Sequence, residues 1–164
     1  LRLSFRLGSW RFGFSMIPIH DMIGVHSDLG NDQHVLMWDF DDTDECRVKW
    51  ALESVQYVYR LPNIHLLKSG RSGHFIAYCF TRLSFRQAIE IVAQTPGICL
   101  TFLGLAILRR KFTLRISEKY GQRPRILEIL PGYRPSEATV NQLNHFVKYE
   151  TTDQMRLTKK KEIR

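Results

Sequence analysis

The sequence predicts an α+β fold, a mostly antiparallel sheet flanked by helices, and three observations carry that expectation. Short runs rich in Val, Ile, Leu and aromatic residues recur between Gly, Pro, Asn and Asp. Segments with apolar residues at helical spacing alternate with them, in the order strand, helix, two strands, helix, strands, helix. The length, 164 residues with 44% apolar composition, suits one domain able to bury a proper core.

The first clear strand is HVLMWDF (34–40), four apolar residues running straight into Asp39. A helix follows Asp44, because Val48, Ala51, Leu52, Val55 and Val58 recur at helical spacing up to Leu61-Pro62. NIHLLKS (63–69) and HFIAYCF (74–80) are the next two strands. In SFRQAIEIVAQTPG, Ser84 and Gln87 form a capping box that starts a helix, and Pro96-Gly97 ends it. The run Ile98 to Leu108 reads as a buried strand-like core segment, too short to span a bilayer. KFTLRIS (111–117) and PRILEIL (124–130) add strands. A third helix is expected from Pro135-Ser136, with Val140, Leu143, Phe146 and Val147 on one face. There is no internal repeat. Residues 1–150 are expected to form the domain, and the polar, basic stretch 151–164 a tail or a link to a further domain.

Charge divides sharply along the chain. Up to Leu108, ten Lys and Arg balance ten Asp and Glu; from Arg109 onward, fourteen face six, which accounts for the whole net charge of +8. A neutral part with an acidic cluster beside a basic part suits a protein that holds cations at one place and polyanions next to it. The three cysteines, Cys46, Cys79 and Cys99, have neither CxxC nor CxxH spacing, so reduced thiols are expected rather than a zinc ribbon or a disulfide framework. LRLSFRLGSWRFGFS has no continuous apolar segment before a small-residue cleavage site. The expectation is a non-secreted protein without membrane contact, cytoplasmic or, in a eukaryote, nuclear.

Three stretches carry candidate chemistry. On a strand, residues i and i+2 point the same way, so Asp39 and Asp41 face one side. Two close carboxylates repel and call for hydrogen bonds, a shared proton or a cation, and hard oxygens at a strand end suit Mg²⁺ or Mn²⁺. Asp42, Thr43 and Asp44 read instead as the start of the following helix. In KSGRSGHF (68–75), two glycines allow a tight turn that aims N–H groups at an anion, with Ser69, Arg71, Ser72 and His74 as further donors. It is not a P-loop. Arg109, Arg110 and Lys111 then lead into FTLRIS, a basic patch suited to a triphosphate or a nucleic-acid backbone.

Taken in order, these motifs resemble the archaeo-eukaryotic primases, the primase-polymerase superfamily. VLMWDFD matches the family's apolar strand ending in Asp-x-Asp, and SGRSGH its Ser-x-His element between strands. GICLTFLGLAILRRKFTLRIS resembles the third motif, with Lys111 at the basic position and Ser117 near a position where histidine is common. SWRFGF (9–14) looks like the aromatic N-terminal element of the small primase subunit. The resemblance implies an RRM-like catalytic core and nucleotidyl transfer from NTPs or dNTPs on a single-stranded DNA template. It implies Mg²⁺ or Mn²⁺ on Asp39 and Asp41, with His74 as a further catalytic residue. Ser69, Arg71, Ser72, His74, Lys111 and Ser117 would bind nucleotide, and Arg109, Arg110 and Arg115 nucleic acid. A helicase or an accessory primase domain is an implied partner. The chain departs from the family in one respect that matters: Cys99 stands at the third acid position, and a soft thiol is a poor Mg²⁺ ligand. The zinc element of many members is also absent. A primase-like module that binds without synthesis is therefore an alternative.

WDFDDTD also satisfies the Asp-x-Asp-x-Thr pattern of haloacid-dehalogenase-type phosphatases, in which the first Asp is a nucleophile. Those enzymes need a later acidic pair in a parallel, doubly wound sheet. After Glu90 the only Asp is Asp153, so this reading ranks lower.

Overall fold

The structure is a computed structural model, and it describes residues 2–15, 19–70, 72–118 and 121–151. The expected tail 152–164 and Arg71 lie outside the described residues. Among the described residues two compact units emerge, residues 2–15, 19–22 and 147–151 in one and Ile23–Phe146, as far as it is described, in the other. In the first, β1 (Arg2–Leu7) and β2 (Trp10–Ser15) form an antiparallel hairpin in which Phe5 stacks on Phe12 at 5.2 Å.

The second unit holds the main sheet and the helices. β3 (Ile19–His26) enters it at Ile23, and β4 (Gln33–Phe40) leads to α1 (Glu45–Tyr59). β5 (Ile64–Lys68) and β6 (Phe75–Ser84) follow, then α2 (Phe85–Ala93), α3 (Leu100–Arg109), β7 (Thr113–Arg115) and β8 (Arg125–Leu130). A 3₁₀ turn (Val140–Gln142) precedes β9 (Asn144–Thr151). The four-stranded sheet has the order β4-β6-β5-β8 with every pairing antiparallel, and a three-stranded sheet has the order β7-β3-β9. The fold is therefore α+β, with antiparallel sheets flanked by helices, as the patterning predicts; the third of the three helices is not the one expected.

One face of the four-stranded sheet packs on helices. Trp38 and Phe40 of β4, Ile64 and Leu66 of β5, and Val48 and Leu52 of α1 are at most 1% exposed. The Trp38 indole N–H donates to Thr95 Oγ1 just past α2, at 2.9 Å, which fixes that face as the helix side. Ser84 and Gln87 make the expected capping box, and Arg47 N–H donates to the Asp44 carboxylate at 2.9 Å as α1 begins. Val58, expected on the buried face of α1, is instead 67% exposed, and Tyr59 takes its place against the core before Arg60 closes the helix in the left-handed region.

Two sequence expectations are corrected. The run from Ile98 is a helix from Leu100, not a strand; its apolar residues on all sides give no period to choose by. It buries Phe102 and Ala106 and leaves Leu100, Ile107 and Leu108 exposed. The expected strand 111–117 shrinks accordingly to Thr113–Arg115. The third helix does not form either. Beyond the 3₁₀ turn the chain is strand β9, and Phe146 stacks on His26 of β3 at 4.7 Å. Gly24 makes this possible, since a Cβ there would lie 2.3 Å from the Phe146 ring. Tertiary pairing has overridden a four-residue helical period.

Candidate metal centre

β4 delivers the first carboxylate. Asp39 pairs with Ile76 of β6 and Met37 with Tyr78, so these four side chains share the face opposite Trp38 and Phe40. Asp39 is half-buried there and Asp41, just past the strand, is exposed. The chain then turns through Asp42, whose φ of 51° is a left-handed conformation that Asp tolerates better than most residues.

That turn is tied to the β5–β6 connection. Thr43 N–H donates to the Gly73 carbonyl at 3.1 Å, and Ser69 N–H to the His74 carbonyl at 3.1 Å. Gly73 has a φ of 81°, in the left-handed region that favours glycine, so glycine serves the turn. The result sets His74 Nδ1 2.6 Å from Asp41 Oδ1. An ionised carboxylate only accepts, so Nδ1 carries the proton and donates it. His74 Nε2 is 3.8 Å from Asp42 Oδ1.

Cys99 arrives from the other side of the chain, at the residue before α3. Its N–H donates to the Asp39 carbonyl at 2.9 Å, which pins the start of α3 to the end of β4. One donor atom each from Asp39, Asp41 and Cys99 lies within 4.8 Å of the other two. Burial pushes the Cys99 thiol up; the Phe102 backbone N–H opposes this, while the Asp41 carboxylate, which accepts from the thiol, and Asp39 add to it. Two carboxylates and a thiol converging at a strand end, with an imidazole on one carboxylate, can take a divalent cation.

The remaining predicted residues are distributed differently. Ser69 lies in the glycine turn beside His74, half-buried, and Ser72 is exposed in the same turn. Arg109, Arg110 and Lys111 sit at the far end of α3, roughly 15 Å from Cys99 for a helix of this length. Lys111 and Arg109 lie near His26, whose pKa is lowered by burial first, with these two cations adding to the fall and Asp28 opposing it. Ser117 Oγ accepts from Ile23 N–H at 3.0 Å and from Arg115 Nε at 3.2 Å, and Arg115 also donates to the Glu118 carbonyl at 2.6 Å. The acids, His74 and Cys99 are thus assembled, whereas the basic residues at the end of α3 are set apart from them.

A feature that sequence reasoning missed lies on the same sheet face. An apolar cavity of about 500 Å³ is lined by Leu67, Tyr78, Phe80, Ile126 and Leu143, among others, with His65 and His145 at its wall. Tyr78, cross-strand from Met37 and 7% exposed, has a buried hydroxyl with no hydrogen-bond partner. Burial pushes its pKa upward and Asp39 adds to the rise. Alternation along FIAYCF was the signal that could have set Tyr78 on the Asp39 side.

Comparison with family models, with curated proteins and with solved structures found no match. The antiparallel pairing of β4 with β6 does not suit the phosphatase reading, which needs its acidic strand in a parallel sheet. No helix among the described residues is long and apolar enough to cross a membrane.

Proposed function

We propose that this chain is a metal-dependent nucleotidyltransferase domain of the primase-polymerase kind, joining NTPs or dNTPs on a single-stranded DNA template. The observation that carries this reading is the convergence of Asp39, Asp41 and Cys99 within 4.8 Å at the end of an antiparallel strand, with His74 on Asp41. Asp39 and Asp41 hold the divalent cation, Mg²⁺ or Mn²⁺. Such a cation lowers the pKa of an attacking 3′-hydroxyl and offsets charge on the departing pyrophosphate. His74 orients Asp41 through Nδ1 and, in its doubly protonated form, donates from Nε2 to a phosphate oxygen. The glycine turn around Ser69 and Ser72 supplies further donors to phosphate. Arg109, Arg110 and Lys111, a helix length away, suit the template backbone rather than the reacting phosphates. A helicase or accessory primase domain would act with it.

The test is nucleotide incorporation on single-stranded DNA with Mn²⁺ or Mg²⁺. Asp39→Ala/Asp41→Ala should lower it by about 10²-fold or more. Activity that survives the double change would sink the assignment. Cys99 favours a second reading, a primase-like module that binds nucleotide or DNA without synthesis. That reading predicts salt-sensitive binding with no incorporation, and synthesis gained by Cys99→Asp.

A further inference from the structure

The donors at the end of β4 differ in kind from an all-carboxylate set. Asp39 and Asp41 offer hard oxygens, whereas the Cys99 sulfur is soft. Mg²⁺ demands near-octahedral oxygen coordination and sheds water reluctantly, so a thiolate adds little to its binding. Zn²⁺ accepts sulfur at ~2.3 Å and carboxylate oxygen at roughly 2.0–2.2 Å in a tetrahedron, whose donor–donor edges are then about 3.3–3.7 Å. Donor atoms already within 4.8 Å of one another need to close by roughly an ångström to reach that geometry.

The thiol is held where it is by the backbone. The Cys99 N–H bond to the Asp39 carbonyl, at 2.9 Å, fixes the residue against the strand that carries the carboxylates. The other two thiols are elsewhere: Cys46 is exposed on α1, and Cys79 is buried on β6 with its sulfur 3.7 Å from the Pro62 carbonyl. His74, donating to Asp41 at 2.6 Å, is the kind of outer partner that orients a metal-binding carboxylate.

We propose that Asp39, Asp41 and Cys99 form a mixed carboxylate–thiolate centre that selects a thiophilic divalent cation, Zn²⁺ foremost, over Mg²⁺. Three protein ligands leave a fourth position for water or a substrate oxygen. On binding, the thiol gives its proton to solvent and sulfur joins the metal. The inference rests on the ligand set of the nucleotidyl-transfer reading, and not on the reaction itself.

Co²⁺ reports directly on this centre, because a cobalt–thiolate bond gives a near-ultraviolet charge-transfer band. Titration of the full chain should produce that band, saturating at one equivalent. Cys46→Ser should keep it. Cys99→Ser and Cys99→Ala, checked for native circular dichroism, should abolish it. Asp39→Asn/Asp41→Asn should weaken Co²⁺ binding by about tenfold or more. Zn²⁺ should displace Co²⁺ at equal concentration, and Mg²⁺ should fail to do so at roughly thousandfold excess. Absence of a band in the wild type, a band that persists without Cys99, or ready displacement by Mg²⁺ overturns the proposal. A protein that binds Co²⁺ this way but incorporates no nucleotide keeps the centre and loses only the reaction. Incorporation supported by Mg²⁺ with no cobalt band does the reverse.

Discussion

Two polar clusters lie toward opposite ends of β6, and they are built on opposite principles. Near the strand's end, Glu137 Oε2 accepts from the Thr81 hydroxyl at 2.8 Å and from Arg82 N–H at 2.7 Å. Its Oε1 pairs with Arg134, which also donates to Thr81 at 2.8 Å, while Arg82 Nε donates to the Glu137 carbonyl at 2.9 Å. One carboxylate there is met by a guanidinium group, a backbone N–H and a hydroxyl. At the strand's start the balance is reversed. Asp39, Asp41 and Cys99 bring together groups that accept or coordinate, and the imidazole of His74 holds one of them. The first cluster closes a loop on the sheet by satisfying itself. The second gathers negative charge that a cation would satisfy, at a cost in stability that functional sites commonly carry.

Substitution should separate the two clusters. Glu137→Ala leaves the buried Thr81 hydroxyl and the Arg82 N–H without their acceptor, and should cost about 1–3 kcal/mol in urea denaturation. Asp41→Asn, which relieves repulsion with Asp39, should cost nothing or stabilise slightly in the absence of metal. Equal losses in the two variants would erase the distinction.

A smaller effect is expected from pH. Desolvation works to raise the Glu137 carboxyl, but the Arg82 N–H, Thr81 and Arg134 outweigh it, so the group sits below the usual carboxylate range. A carboxyl depressed in the folded state contributes stability that is complete above its unfolded pKa, about 4.3, and is lost as pH falls through the folded value. The stability difference between wild type and Glu137→Gln should therefore shrink from about pH 5 downward. The half-buried His26 and His65 and the buried His34, each lowered first by desolvation, titrate in both proteins and cancel in that difference. A difference that stays constant down to strong acid would show that the Glu137 charge does not stabilise the fold.

Much of this was legible where local chemistry and pattern agree. β4, α1, β5, β6 and α2 announce themselves through apolar runs, the Asp44 cap and the Ser84–Gln87 box, and the structure reproduces their order. Asp39, Asp41 and His74 stand in motifs whose backbone geometry is local, a strand end and a glycine turn. Cys99 was marked by its place in the order of motifs. Its approach to the acids depends on α3, which the sequence disguised as a strand because Leu, Ile and Phe surround it on all sides. β9 was disguised in the opposite sense, its partner β3 being far away in sequence. The Arg82–Arg134–Glu137 cluster depends on the same kind of distant pairing.

Thermal unfolding with and without Mn²⁺, in wild type and in Asp39→Asn/Asp41→Asn, tests most directly whether the end of β4 holds a cation. A ligand bound only to the folded state stabilises it by about 2.7 kcal/mol at a hundredfold excess over its Kd. The wild-type midpoint should rise with Mn²⁺ concentration and the double variant's should not move. A wild-type midpoint indifferent to the metal, or an equal rise in both proteins, would contradict the binding of Mn²⁺ at Asp39 and Asp41.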